Sequence, residues 1–144
     1  MVVIAIVGLL AAIALPSYTD YIRKSRRADG IAAVLSLQLA QEKYRANCTE
    51  YARQVGANGA YKCDIDAPNT NVIEHPSTSS DDHYSLVISG AGPTGYTLTA
   101  TRQGGQTNDS CGNFILKVVG GTVEKSTSIY TVPDSSEAKR CWSH

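Results

Sequence analysis

Four cysteines, Cys48, Cys63, Cys111 and Cys141, carry the most obvious chemistry in the chain. None forms Cys-x-x-Cys, and His75, His83 and His144 do not stand at zinc-finger spacing. An even number of cysteines scattered through a polar body reads as two disulfides in an oxidising compartment. Three pairings are open. A Cys48–Cys63 bond would pin the chain after the first helix. A Cys111–Cys141 bond would close a loop of about 31 residues, worth roughly 3–4 kcal/mol in the chain-entropy model.

Asp81-Asp82-His83 has the residue types for acid–base or metal chemistry. It precedes a strand pattern and has no partner Ser or Cys in a recognisable elbow, so it reads as a solvated loop. Asp64 and Asp66 have carboxylates suited to calcium, but the Gly and Glu of a twelve-residue calcium loop are missing. The residues therefore give no catalytic centre, no cofactor site and no metal site. The chain reads as a non-enzyme without a small-molecule substrate.

Two groups of cations remain. Lys117, Lys125, Lys139 and Arg140 are candidate contacts for DNA or an acidic partner. Acidic and basic residues balance at 13 each, so DNA is the secondary reading. Arg23, Lys24, Arg26 and Arg27 are denser. They suit phospholipid headgroups, acids on a neighbouring subunit, or plain solvation of a helix face. Asn47-Cys-Thr49 and Asn108-Asp-Ser110 match the glycosylation sequon, too short a pattern to carry weight. Trp142 beside Cys141 is expected to pack on a disulfide.

Something must position these groups. Residues 1–15 carry no charge and run into Pro16 and the basic cluster. As a helix they cover roughly 22 Å, short of the about 30 Å of a bilayer core. Ala12-Ile13-Ala14 has the small-x-small form of a signal cleavage site, but no Lys or Arg precedes the apolar run. The basic cluster favours a cytoplasmic body by the positive-inside bias, against the compartment that the cysteines imply. A basic leader upstream of Met1 would resolve that conflict.

From Ser17 to about Arg53 the pattern is helical. Tyr18, Ile22, Ala28, Ala32, Leu35, Leu39 and Ala46 form a stripe expected to pack on a sheet. Gln38, Gln41, Glu42, Lys43 and Arg45 are expected opposite. A continuous helix would be on the order of 80 Å long. Residues 55–83 read as a loop. Residues 84–89, 96–102, 111–119 and 122–125 read as an antiparallel meander of three or four strands, with Gly120-Gly121 as a hairpin turn. The tail, 126–144, reads as irregular. The division is thus 1–27, an apolar helix half with its basic flank, and 28–144, a head. One Phe, one Met and one Trp imply a small core, which disulfides would reinforce.

The run Val3-Ile-Ala-Ile-Val-Gly-Leu-Leu-Ala-Ala-Ile-Ala-Leu-Pro-Ser-Tyr18, then Tyr21 and the basic patch, resembles the N-terminal helix of type IV pilins. Tyr96-Thr-Leu-Thr-Ala, Cys111-Gly and Cys141-Trp142 look more like minor pilins than the abundant subunit. The resemblance implies an α+β fold: a long N-terminal helix on a three- or four-stranded meander with a disulfide-closed C-terminal region. It implies a pilus subunit that polymerises through its helix and supports pilus biogenesis, twitching, adhesion or DNA uptake. Val2, Val3, Ile4, Ile6, Val7, Gly8, Leu9, Leu10, Ile13, Leu15 and Pro16 would line the membrane and then the filament core. Relatives lose helicity between the positions matching Gly8 and Pro16, which makes the fibre extensible. The implied partners are other pilin subunits, the inner membrane before assembly and the assembly machinery. The family's leader, N-methylated Phe and acidic residue are absent, so Met1 is expected to be an internal start. A major pilin, a secretion pseudopilin, a DNA-binding competence pilin and a secreted binding domain behind a cleaved signal are the alternatives.

Overall fold

The computed structural model describes residues 2–56, 61–64, 66 and 70–143, with residues 2, 5 and 9–17 described in backbone only. Helix α1 spans Val2–Arg45 and runs through Pro16. Its 44 residues correspond to about 66 Å at the standard rise. The expectation of a helix to Arg53 was too long. The chain turns at Ala46–Cys48, where Asn47 N–H donates to Tyr44 O at 3.1 Å and Arg45 Nη1 donates to Cys48 O at 2.7 Å.

The face that α1 buries differs from the expected one. Gly30, Ile31, Val34, Leu37, Gln41, Tyr44 and Cys48 are buried. Ala28, Ala32, Leu35, Leu39 and Ala46 are exposed, as is Tyr18. Two details explain the rotation. Gly30 lies so close to the Tyr84 ring that an added Cβ would stand 2.7 Å from it. Gln41 is fully buried because its amide clamps one backbone unit, donating to Ala52 O at 2.9 Å and accepting from Ala52 N at 3.0 Å. A glutamine with both amide ends satisfied behaves as a core residue.

The main sheet comprises β3 (Tyr84–Ser89), β4 (Gly95–Arg102), β5 (Phe114–Val119) and β6 (Thr122–Thr127), antiparallel and in chain order. Strict alternation sends Tyr84, Leu86, Ile88, Tyr96, Leu98, Ala100, Phe114, Leu116 and Val118 to the α1 side. Gly120 and Gly121, both at positive φ (56° and 85°), make the β5–β6 hairpin turn, a geometry that strongly favours glycine.

Two elements lie where a loop and an irregular tail were expected. Strands β1 (Gln54–Gly56) and β2 (Val72–Glu74) form a short parallel ladder. Helix α2 (Ser136–Trp142) is capped by Ser135, whose hydroxyl accepts from Ala138 N–H at 3.2 Å. Disulfides join Cys48 to Cys63 and Cys111 to Cys141, with Cα separations of 5.9 and 5.7 Å.

Both sheet edges are covered over part of their length. Along β6, Lys125 O accepts from Asp134 N–H, Ser126 O from the Trp142 indole, and Thr127 N–H donates to Tyr130 O. Along β3, Leu86 N–H donates to Ser77 O and Ser79 N–H donates to Tyr84 O. Covered edges do not recruit further strands. Among the described residues no helix is long and apolar enough to cross a membrane.

Candidate interaction surfaces

The outer face of α1 is one such surface. Ile4, Val7, Tyr18, Tyr21, Ala28, Ala32, Leu35 and Leu39 all lie exposed, and Ala46 follows just past the helix end. Every step along that series is a sum of threes and fours on a seven-residue period, which is the spacing of a helix–helix seam, with exposed Ser25 and Glu42 as polar interruptions on the same period. Tyr21 is 72 %, Leu35 40 % and Leu39 65 % exposed. Val3 and Ile6 are exposed beside the seam. The side chains of Val2, Leu9, Leu10, Ile13, Leu15 and Pro16 lie outside the described residues.

Below the head, the basic segment is divided. Arg27 does not face outward. Its guanidinium grips Asp109, with Nη2 donating to Oδ1 at 2.7 Å and Nε donating to Oδ2 at 2.8 Å. Asp109 is buried and also accepts from Cys111 N–H at 2.8 Å and from the Gln106 amide at 2.6 Å. Gln106, itself buried, donates to Arg23 O at 2.9 Å and contacts the Tyr84 hydroxyl at 3.1 Å. This hub ties α1 to the loop before Cys111. Burial is the main cause that pushes the Tyr84 phenol up to about 12. Sequence reasoning missed Gln106 and Asp109, which stand in a Gly/Asn-rich stretch and differ from loop residues only in their burial.

Arg23 pairs loosely with Asp20 at 3.5 Å. Lys24 is exposed. It borders a cleft of about 250 Å3 together with Arg27, Ser110, Tyr130, Arg140, Ser143 and the Cys111–Cys141 bond.

The four candidate DNA contacts are not one strip. Lys117 lies on the outer sheet face, in register with Glu124. Lys125 lies over the Trp142 ring at 5.3 Å. Lys139 and Arg140 are exposed on α2. Trp142 packs edge-on against Phe114 with ring centres 5.2 Å apart. Asp82 takes a left-handed conformation (φ 56°) in the turn before β3. Asp64 N–H donates to Asn71 Oδ1 at 2.7 Å, and the Asp64 carboxylate lies 3.6 Å from Lys62.

At the far end of α1, Glu42 accepts from the hydroxyls of Tyr96 at 2.9 Å and Tyr51 at 3.3 Å. Burial, then the hydrogen bond to Glu42, holds the Tyr96 phenol well above its ordinary value. Tyr44 donates to Lys62 O and is raised to about 12, chiefly by burial.

A long N-terminal helix laid on a four-stranded antiparallel meander, with a disulfide closing the C-terminal region, is the type IV pilin fold. The chain belongs to the family described as type IV minor pilin ComP, DNA uptake sequence receptor, whose model matches residues 16–115. It is also similar to a type IV major fimbrial protein FimA of Dichelobacter nodosus, 40 % identical over 50 residues, covering 33 % of this chain and 31 % of the relative. A second FimA of that species is 37 % identical over 51 residues, covering 34 % and 32 %. The chain thus spans about a third of the length of these relatives.

Proposed function

We propose that this chain is a minor subunit of a type IV pilus, assembled through α1. The observation that carries this reading is the seven-residue apolar seam on the outer face of that helix. Water does not favour so long an exposed apolar line on an unpartnered domain. Helices of neighbouring subunits cover it, and each large side chain so buried contributes roughly 1.5–3 kcal/mol before ordering costs. The stem, Val2–Leu15, rests in the inner membrane and then moves to the filament core. Both places are apolar, so the transfer costs little. The assembled pilus is extracellular, where an oxidising environment preserves the two disulfides.

Replacing Leu39 by Glu tests this. The substitution is expected to abolish recovery of the subunit in sheared pili while leaving thermal unfolding of the purified chain unchanged, because the Leu39 side chain is largely exposed. Normal incorporation of Leu39→Glu into pili would refute the seam.

A second reading follows from the family description, which names a DNA uptake sequence receptor. In this chain Lys139 and Arg140 are exposed on α2, with Arg140 at the border of the cleft, while Lys125 lies over the Trp142 ring and Lys117 apart on the outer sheet face. Net charge is zero, so any DNA binding depends on these few cations rather than on a general field.

A further inference from the structure

Two clefts meet along the basic segment of α1. The first, already described, is about 250 Å3. The second, about 260 Å3, is bordered by Asp20, Arg23, Lys24, Arg27, Asn108, Asp109 and Ser110. Lys24, Arg27 and Ser110 belong to both.

The charges of this double cleft do not cancel. Asp109 is engaged by Arg27, Gln106 and the Cys111 amide. Asp20 is shared with Arg23. Among the described residues, Lys24 and Arg140 stand within ion-pairing distance of no carboxylate. Glu137, three residues earlier on α2, interacts with Arg140 by charge without a close ion pair. Two free cations therefore flank a concave, hydroxyl-lined space beside Ser110, Tyr130 and Ser143. Its volume suits a single phosphate-bearing group and is too small for a duplex.

The position along the helix indicates which phosphate. Lys24 lies nine residues beyond Leu15, or about 13 Å along the axis. A headgroup layer rises roughly 5–8 Å above the hydrocarbon, and a lysine stem reaches back toward it. We propose that the cleft holds the phosphate of an anionic phospholipid headgroup while the subunit waits in the membrane. This rests on the reading that the apolar stem sits in the bilayer before assembly.

The test uses the full chain distributed between vesicles of neutral phosphatidylcholine and vesicles that also contain phosphatidylglycerol. Each free cation is expected to favour the anionic vesicles about fivefold. The double variant Lys24→Gln/Arg140→Gln should lose roughly 25-fold of that preference, with its circular dichroism unchanged. Lys117→Gln, on the far sheet face, should keep it. No preference in the native chain, or a preference that survives the double variant, overturns the site. Full displacement by inorganic phosphate would assign it to free phosphate instead. A loss seen for duplex DNA but not for vesicles would assign it to nucleic acid. Failure of the chain to enter neutral vesicles would overturn the stem reading, and this proposal with it.

Discussion

Asp109 shows how much one side chain can carry. It is buried, accepts three hydrogen bonds from Arg27, and also serves the Cys111 amide and Gln106. A buried ion pair adds little net stability over an apolar pair, but removing one partner strands the other. Asp109→Asn is therefore expected to cost about 3 kcal/mol, the low end of the usual range because Arg27 retains some access to water. Urea unfolding measures it, with Lys117→Gln as a surface control expected to stay within about 0.5 kcal/mol. A shift below about 1 kcal/mol in Asp109→Asn would mean that the hub is not needed. Neither partner was legible in the sequence. Arg27 and Asp109 are 82 positions apart, and a guanidinium in a run of cations gives no sign that it turns inward.

At the scale of elements, the seam between α1 and the sheet is rich in phenols. Tyr44 and Tyr84 are raised to about 12, mainly by burial, and Tyr96 is raised further in the same direction. The unfolded chain ionises near 10. Between pH 10 and 12 the unfolded state has lost these protons and the folded state has kept them. Stability is therefore full below pH 10 and falls as pH rises toward 12, by about 1.4 kcal/mol per pH unit for each phenol that stays protonated. The last part of the phenolate absorbance, that of the buried phenols, should appear together with loss of helical circular dichroism above pH 10. Ionisation of all eight tyrosines near pH 10 with the fold intact would contradict this. The sequence made the four long strands legible, because Tyr84–Ser89 and Gly95–Arg102 alternate without interruption and Gly120-Gly121 punctuates them. It misled on the buried face of α1. That helix is apolar on two sides, and a periodicity count favours the cleaner stripe, here the outer one. The three-residue strands β1 and β2 and the seven-residue α2 are too short for a repeating pattern to register.

For the whole molecule, the question is whether a neutral chain binds DNA. Only a few dispersed cations are available, so affinity should be weak and its salt slope shallow. A titration of the full chain in detergent with duplex DNA is expected to lose about 0.9 of logarithmic slope for each phosphate contact removed. Lys125→Gln and Lys139→Gln should each lower the slope in this way, and Lys117→Gln should not. Slopes that do not respond to Lys125 or Lys139 would remove these two lysines as phosphate contacts. The candidate cations were legible as residue types. Their grouping was not, since Lys24 and Arg140 come from opposite ends of the chain and meet only in the fold.

The covered strand margins also bear on how a polymer-forming protein avoids the wrong polymer. Asp134, Tyr130 and Trp142 occupy the backbone positions that a foreign strand would take at β6. Under the proposed assembly, this leaves the outer face of α1 rather than the β6 margin as the surface for subunit contact. A cut near Ser128 leaves the tail tethered through Cys111–Cys141, so only cleavage combined with reduction of that bond by an added thiol would release the tail and expose that margin to a foreign strand.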